Sequence, residues 1–419
     1  MWNIAEFLSM HGIGHAIATK AKTAKIFWYA IVIACISLAS YFLYQLFTDY
    51  YKYETDWTIT EVVDSSIVFP VVTICNGLRR NHLNQANVSL FTDGFKEYTN
   101  KSNDFCLFNH HNCSLSGMSF APKYHEPSCI LFNQNESLHQ EIPFLTAGLE
   151  VKFFINRSDI FVNDTKHREL ISRMDAVRVY LHSKDVFLEL SNSHFTAKLG
   201  FSTTIVIKKV KIVREKAPYP SNCTNDDFKQ LNYYPGNYTQ QGCIDTALTR
   251  VTYPKCGYVY DALKPYFPKE NYDEVEFNQT CLDSLVLKQG YRYGVCPLPC
   301  HEVKFDVKVQ TETKWPLGTD LTTFKRKISN MLESNVTDEY IYSNFGKVLI
   351  AYDAFNVVEY EEKPKYNTQK VLSDFGGLIG IYLGASLISV IEILIVCVRL
   401  MVNVFTKGKE KAATVEVGQ

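Results

Sequence analysis

The sequence predicts an α+β membrane protein, with two transmembrane helices and a large disulfide-rich, β-sheet-centred extracellular domain. Three observations predict it. Two long apolar stretches, 26–47 and about 375–405, stand near the two ends with no third between them. All ten N-x-Ser/Thr sequons and ten of the twelve cysteines lie in the interval they bound. Period-2 runs of β-branched and aromatic residues are spread through the same interval.

Residues 26–47 carry no charge, and as a helix rising about 1.5 Å per residue they reach about 33 Å, enough to cross a bilayer. A cleaved signal peptide is the competing reading. Its apolar region runs about 7–15 residues and ends in a small-residue cleavage site, whereas this run is longer and continues into Asp49-Tyr50-Tyr51. Lys20, Lys22 and Lys25 precede it and Asp49, Glu54 and Asp56 follow, so residues 1–25 are expected in the cytoplasm. Arg399, Lys407, Lys409 and Lys411 place 406–419 there too. Residues 48–374 are then extracellular, at the plasma membrane. The sequons agree, since Asn87, Asn100, Asn112, Asn135, Asn156, Asn163, Asn222, Asn237, Asn278 and Asn335 all fall in that interval.

Within it, strands are expected at 57–63, 67–74, 176–181, 203–213, 302–311 and 348–360, sharing one sheet, with cysteine-rich stretches forming peripheral subdomains. Leu321, Phe324, Ile328 and Leu332 have helical spacing and predict a surface helix over 320–333. Its Lys325-Arg326-Lys327 reads as a solvated face rather than a ligand patch. Cys75, Cys106, Cys113 and Cys129 make one cluster, and Cys223, Cys243, Cys256, Cys281, Cys296 and Cys300 another. No pair has the C-x₂-C spacing of a zinc ribbon, so disulfides in an oxidising compartment are the reading. Spacing leaves their pairing open, for eight cysteines already allow 105 connectivities. Cys35 and Cys397 lie in the apolar spans and read as free.

The second span holds the most informative segment, residues 376–394, GGLIGIYLGASLISVIEIL. A carboxylate at bilayer depth costs about 2.5–3.5 kcal/mol on insertion scales, so Glu392 is expected to face water or protein. Gly376, Gly380 and Gly384 form a stripe that also suits plain helix packing. At about 100° per residue Glu392 shares a face with Ala385, whereas Ser386 points about 100° away. An unbroken helix cannot aim Ser386 and Glu392 alike, so Gly384-Ala385-Ser386 is predicted to interrupt it, as backbone lining a cavity can. Asp374 stands just before the stripe, either as an outer acidic group or as a plain helix N-cap or first-turn acid. His11 and His15 are spaced i, i+4, but two ligands with no acidic or cysteine neighbour are too few for a metal site.

Taken together, His11-Gly12, the run Phe69-Pro70-Val71-Val72-Thr73-Ile74-Cys75-Asn76, His182-Ser183 and Gly384-Ala385-Ser386 closely resemble the degenerin/epithelial sodium channel family, which includes acid-sensing and peptide-gated channels. The resemblance runs from about His11 to Glu392. It implies a homotrimer or heterotrimer with related subunits in the lipid bilayer, and an ectodomain of palm (57–76, 176–213, 302–360), finger (77–150), thumb (219–301), knuckle helix (320–333) and β-ball. It implies the pairs Cys75–Cys129, Cys106–Cys113, Cys223–Cys300, Cys243–Cys296 and Cys256–Cys281. It makes Gly384-Ala385-Ser386 a filter that strips part of the hydration shell of permeant sodium, Glu392 an inner acidic ring, and Asp374 an outer one able to hold calcium. It makes His11-Gly12 a re-entrant segment of the lower pore and Ser373 the small residue that lets closed helices cross. Tyr53 and Tyr219 become candidates for the wrist that couples ectodomain to pore, although Tyr219 is offset by one residue from the family position.

The stimulus is less legible. Acid-sensing relatives place histidines after the first span, where this chain has Tyr53-Glu54-Thr55-Asp56, and the acidic run Glu359-Tyr360-Glu361-Glu362 reads as a solvated loop. The short finger and tails resemble peptide-gated members, so an extracellular peptide ligand is favoured over protons, force or constitutive opening. A net charge of −1 gives no sign of nucleic-acid binding. The chain has no Gly-rich phosphate loop, no G-x-S-x-G and no H-E-x-x-H, so an enzyme is not expected, and no cofactor. A two-pass adhesion or scaffold glycoprotein would share the spans, sequons and cysteines but has no need of the triplet or of Glu392.

Overall fold

The computed structural model describes residues 19–76, 105–113, 118–120, 129–135, 137–143, 145–155, 176–187, 194–224, 232–260, 263–268, 275–289 and 296–386, with 391, 395 and 398 beyond them. In chain order the elements are α1 (Lys22–Tyr51), β1 (Thr55–Val63), β2 (Ile67–Val68), β3 (Val71–Asn76), β4 (Cys106–Phe108), β5 (His111–Asn112), β6 (Met118–Phe120), β7 (Cys129–Phe132), β8 (His139–Gln140), β9 (Leu149–Phe154), β10 (Ala176–His182), β11 (Phe195–Lys198), β12 (Phe201–Val213), α2 (Gln240–Cys256), α3 (Gln279–Gln289), β13 (His301–Lys314), α4 (Gly318–Leu332), α5 (Asp338–Asn344), β14 (Phe345–Pro364) and α6 (Thr368–Leu383). The described residues fall into two units, one within 1–56, 218–220 and 363–419, the other within 57–217 and 221–362.

The first unit is built on α1 and α6. α1 has 30 residues, about 45 Å at 1.5 Å per residue, and among the described residues it is the one helix long and apolar enough to cross a membrane. It overruns the expected 26–47 at both ends, because flanking lysines and Thr48 stop an apolar count but not a backbone ladder. Only Ala39 and Leu46 are buried, while Ile33 and Tyr44 are 64% and 73% exposed. α6 runs antiparallel to it. Phe42 stacks on Tyr382 at 5.7 Å, and Phe47 meets Phe375 edge-on at 6.2 Å.

The second unit has two main sheets where the sequence suggested one. The larger has the order β13-β12-β14-β9-β4-β5, with β1 added on β14. β12 pairs antiparallel with β13 and parallel with β14, a parallel pairing made possible by the long excursion through α2, α3, β13, α4 and α5. The register of β12 on β14 jumps between Ile207↔Tyr352 and Lys209↔Val357. The smaller sheet has the order β11-β10-β3-β7-β6. It exists because Pro70 cannot donate to a ladder. The strand expected over 67–74 therefore breaks after Val68, β2 pairs with β8, and β3 opens a new sheet. Phe69, at the break, is 2% exposed and packs edge-on against Phe108 at 4.9 Å and Tyr352 at 6.0 Å. In β10 the half-buried His182 donates Nδ1–H to the Ser183 carbonyl at 2.9 Å and takes the Thr73 hydroxyl at Nε2 at 3.0 Å. Burial holds its pKa below the ordinary value.

Five disulfides join Cys75–Cys129, Cys106–Cys113, Cys223–Cys300, Cys243–Cys296 and Cys256–Cys281. These are the pairs the family resemblance implies. Cys75 and Cys129 stand directly opposite on β3 and β7. The last three bridges lie within 223–300, a stretch whose two helices, α2 and α3, the cysteine pattern did not foretell. In α2, Thr239 caps the first turn by accepting from Gly242 N–H at 3.0 Å, and Gly257 ends the helix at φ 67°. Its buried face includes Cys243, Asp245, Thr246, Thr249, Thr252 and Cys256. Asp245 accepts from Gln241 at 2.9 Å and from the Tyr234 hydroxyl at 3.2 Å, and burial pushes its carboxyl pKa up.

The helix expected over 320–333 is α4, a surface helix that turns Phe324 and Ile328, 7% and 0% exposed, into the core. Lys325 pairs with Asp338 at 2.6 Å. The run Glu359-Tyr360-Glu361-Glu362 is a strand and not a solvated loop. β12 carries Lys211 to Val213 alongside Glu359 to Glu361. Glu362, 3% exposed, accepts the Glu215 N–H at 2.9 Å.

Candidate functional site

α6 carries the candidate pore segment. It begins at Thr368, seven residues before the expected 375, because Asn367 caps it: its side chain accepts from Lys370 N–H at 2.8 Å. Asp374 is therefore neither an N-cap nor a first-turn acid but lies in the second turn, half-buried. The helix ends at Leu383. Gly384 takes φ 62°, donates its N–H to the Gly380 carbonyl at 3.0 Å, and residues 384–386 are not helical. Glycine is the residue that adopts this left-handed conformation without a Cβ penalty. Residues 391, 395 and 398 are helical again.

The aromatic contacts with α1 fix which face of α6 is used. Taking Phe375 as zero and about 100° per residue, Tyr382 falls within about 20° of it, whereas Ser373, Gly377, Gly380 and Gly384 fall about 140° to 200° away. Ser373 is exposed, and a Cβ added at Gly376 or Gly377 would meet no atom within 4 Å. Gly380 has only the Ala385 carbonyl, at 4.0 Å. Small residues thus line the side of α6 turned away from α1. Asp374 lies on the flank of that side.

Where α1 ends, Tyr53 takes the left-handed φ of 52° and its ring meets Tyr219 edge-on at 5.7 Å. Tyr50 and Tyr51 complete the cluster at 6.3 and 6.4 Å from Tyr53. Residues 218–220 belong to the same unit as α1 and α6. A feature the sequence reading missed lies beside it. Glu54 accepts from Lys365 Nζ at 2.8 Å, and the Lys365 N–H donates to the Glu54 carbonyl at 2.9 Å. The Lys365 hydrogen bond and charge hold the Glu54 carboxyl below its ordinary value and raise the lysine. These partners are 311 residues apart, and no sequence pattern signals such a pair. Lys52 closes back on Asp49 at 2.7 Å.

The remaining site residues divide simply. His11, Gly12 and Glu392 lie outside the described residues, as do Asn87, Asn100, Asn156 and Asn163. Asn112, Asn135, Asn222, Asn237, Asn278 and Asn335 are exposed. Asn278 also caps α3, accepting from Cys281 N–H at 3.0 Å. Among the described residues no group of three or more His, Cys, Asp or Glu could hold a metal ion.

The described residues thus hold a two-helix unit whose second helix ends at Gly384 and a disulfide-stapled, β-rich unit. A family model described as amiloride-sensitive sodium channel matches residues 5–113 and 103–396, and the chain belongs to this family. The bile acid-sensitive ion channel of Homo sapiens is 22% identical over 92% of this chain and 83% of its own length. The FMRFamide-activated amiloride-sensitive sodium channel of Cornu aspersum is 21% identical over 95% and 83%. Degenerin deg-1 of Caenorhabditis elegans is 26% identical over 74% and 40%. Among solved structures, a proton-activated chloride channel overlaps 89% of this chain and 98% of its own with a TM-score of 0.37 and 7% identity, too distant to bear on function.

Proposed function

We propose that the chain is one subunit of a trimeric, sodium-permeable cation channel of the plasma membrane. It crosses the bilayer twice with both termini cytoplasmic, as a homotrimer or with related subunits, and is opened by an extracellular ligand, a peptide being the favoured class. The observation that carries this reading is the end of α6 at Gly384, on a helix where a Cβ added at Gly376 or Gly377 would meet no atom of the described residues within 4 Å. Three copies about an axis would bring Ser373, Gly377 and Gly384 close together, leaving the non-helical backbone of Gly384-Ala385-Ser386 to replace part of a cation's hydration shell. Asp374 in triplicate would concentrate cations at the outer mouth and could hold calcium, with Glu392 as a second acidic ring and His11-Gly12 at the inner end. The lysine asymmetry around α1 and the placement of the sequons support the topology. The Cornu aspersum relative, similar over nearly the whole chain, supports a peptide, and the bile acid-sensitive relatives supply the competing ligand.

Voltage-clamp recording from cells expressing this chain alone tests the proposal, with amidated peptides, bile acids, pH steps and amiloride applied outside. The expected result is an amiloride-blocked inward sodium current evoked by peptide. A current evoked only by bile acid or by acid would move the ligand assignment and keep the pore. Absence of current under every condition would remove the homomeric channel, leaving an obligate heteromer subunit or a pore-less scaffold.

A further inference from the structure

Two acceptor asparagines are each followed directly by a cysteine, Asn112-Cys113 and Asn222-Cys223. Both cysteines are bridged, but their partners arrive at different times. Cys106 precedes Cys113 by 7 residues, whereas Cys300 follows Cys223 by 77. Synthesis at roughly 5–20 residues per second needs about 4–15 s to supply Cys300 after Cys223. Cys106 is already present when Cys113 emerges, so their bridge waits only on oxidation, which takes on the order of seconds or longer, whereas Cys223 has no partner for the whole of that interval.

Closure removes the open chain that a glycosyltransferase needs around its acceptor. Asn112 enters the β4–β5 hairpin opposite Leu107, with Cys113 N–H donating to the Cys106 carbonyl at 3.0 Å. Thr224, whose hydroxyl completes the Asn222 acceptor motif, is 7% exposed. Its N–H donates to the Leu298 carbonyl at 2.9 Å and its carbonyl accepts from Cys300 N–H at 2.9 Å.

We propose that disulfide closure competes with N-glycosylation at these two positions, so that Asn222 carries a glycan in nearly every chain and Asn112 in only a fraction of chains. The competing steps are distinct chemistry. Glycosylation forms the bond from Asn Nδ2 to the sugar C1, breaks the sugar's bond to a lipid pyrophosphate donor, and releases one amide proton. Bridge formation takes two protons and two electrons from a pair of thiols and delivers them to a lumenal protein disulfide, which becomes a dithiol. The inference rests on the extracellular placement of residues 48–374.

The test is glycopeptide mass spectrometry of the full chain from a secretory cell, with each site read by its mass shift on enzymatic deglycosylation in heavy-oxygen water. Occupancy at Asn112 is expected at least about twofold below that at Asn222 in the wild-type chain, because only there does oxidation race synthesis. Cys106→Ala should raise Asn112 to the Asn222 level, while Cys300→Ala leaves Asn222 unchanged. Dithiothreitol during synthesis of the wild-type chain should produce the same rise at Asn112, so misfolding of a variant does not obscure the result. Equal occupancy at the two sites, or a low Asn112 indifferent to both treatments, overturns the inference. Asn135, Asn237, Asn278 and Asn335, none followed by cysteine, report the topology. If all four are bare, the extracellular placement falls and the inference with it. If they are occupied while Asn112 and Asn222 behave alike, the inference alone falls.

Discussion

Helices α1 and α6 are both apolar and pack on each other, yet α1 runs 30 residues while α6 stops after 16. The difference lies in their small residues. In α1, Ser37 returns its hydroxyl to the Ile33 carbonyl at 2.8 Å, an i−4 bond that stays within the helix, and Ala39 is buried. In α6 the glycines sit on the side away from α1, and the last of them turns the backbone out of the helix. Small residues in these two apolar helices therefore behave in two ways, and backbone conformation separates them: in α1 they keep the ladder, whereas in α6 Gly384 ends it, as the proposed lining role requires.

The largest effect is expected from removing that distinction. Gly384→Ala places a Cβ at φ 62°, where an L-residue is disfavoured by about 1–2 kcal/mol, so the helix should continue through the triplet. Sodium over potassium preference, read from reversal potentials, should fall towards unity or the current should vanish. Replacing Ser386 with a bulkier residue should do the same, whereas Ser37→Ala in α1 should leave permeation unchanged. A Gly384→Ala channel with unaltered selectivity would contradict the reading of α6 as the lining helix.

A smaller effect should come from the contacts that hold α6 in its rotation. The Phe42–Tyr382 and Phe47–Phe375 pairs can each contribute about 0.5–1.5 kcal/mol beyond area burial. Alanine at both members of a pair should cost less than the sum of the single changes, with ligand sensitivity as the readout. Additive single and double variants would mean that the α1–α6 contact is not maintained through gating. Tyr53 and Tyr219 form a third such pair at the end of α1, and their alanine variants should be non-additive by a comparable amount.

The sequence carried α1 well because hydropathy and length are one-dimensional properties. It carried most strands of the larger sheet for the same reason: the 203–213 and 302–311 runs lie within β12 and β13. It failed where a residue type does an unusual job. α2 hides its buried face in Thr246, Thr249 and Thr252, all at most 1% exposed, so no apolar period marks the helix. The break at Pro70 was legible in principle, since a missing N–H is a property of the residue itself, but the apolar run on both sides masked it. Glu362 illustrates the opposite error, because a charged run reads as solvent-facing unless its hydrogen-bond partner, here the distant Glu215 N–H, is known. In the candidate site, Gly384-Ala385-Ser386 was legible through helical phase, whereas the Glu54–Lys365 bond depends on tertiary structure alone.

That bond supplies the smallest predicted effect. Glu54 and Lys365 join the chain just leaving α1 to the chain about to enter α6, and both are open to solvent, so their attraction is screened by salt. The Glu54 carboxyl is held below its ordinary 4.5, chiefly by the hydrogen bond from Lys365. A depressed carboxyl pKa favours the folded arrangement fully above the unfolded value and loses that favour as pH falls through the lowered one. Steps from about pH 7 to about pH 5.5 should therefore leave the link intact in the wild-type channel. Glu54→Gln should remove its charge at every pH, shifting ligand sensitivity slightly and reducing its salt dependence. A wild-type response with a midpoint between about pH 5 and 7 that disappears in Glu54→Gln would show that this carboxylate titrates far above the range its lysine partner imposes. The end of α1 would then be a proton sensor rather than a fixed tether for α6.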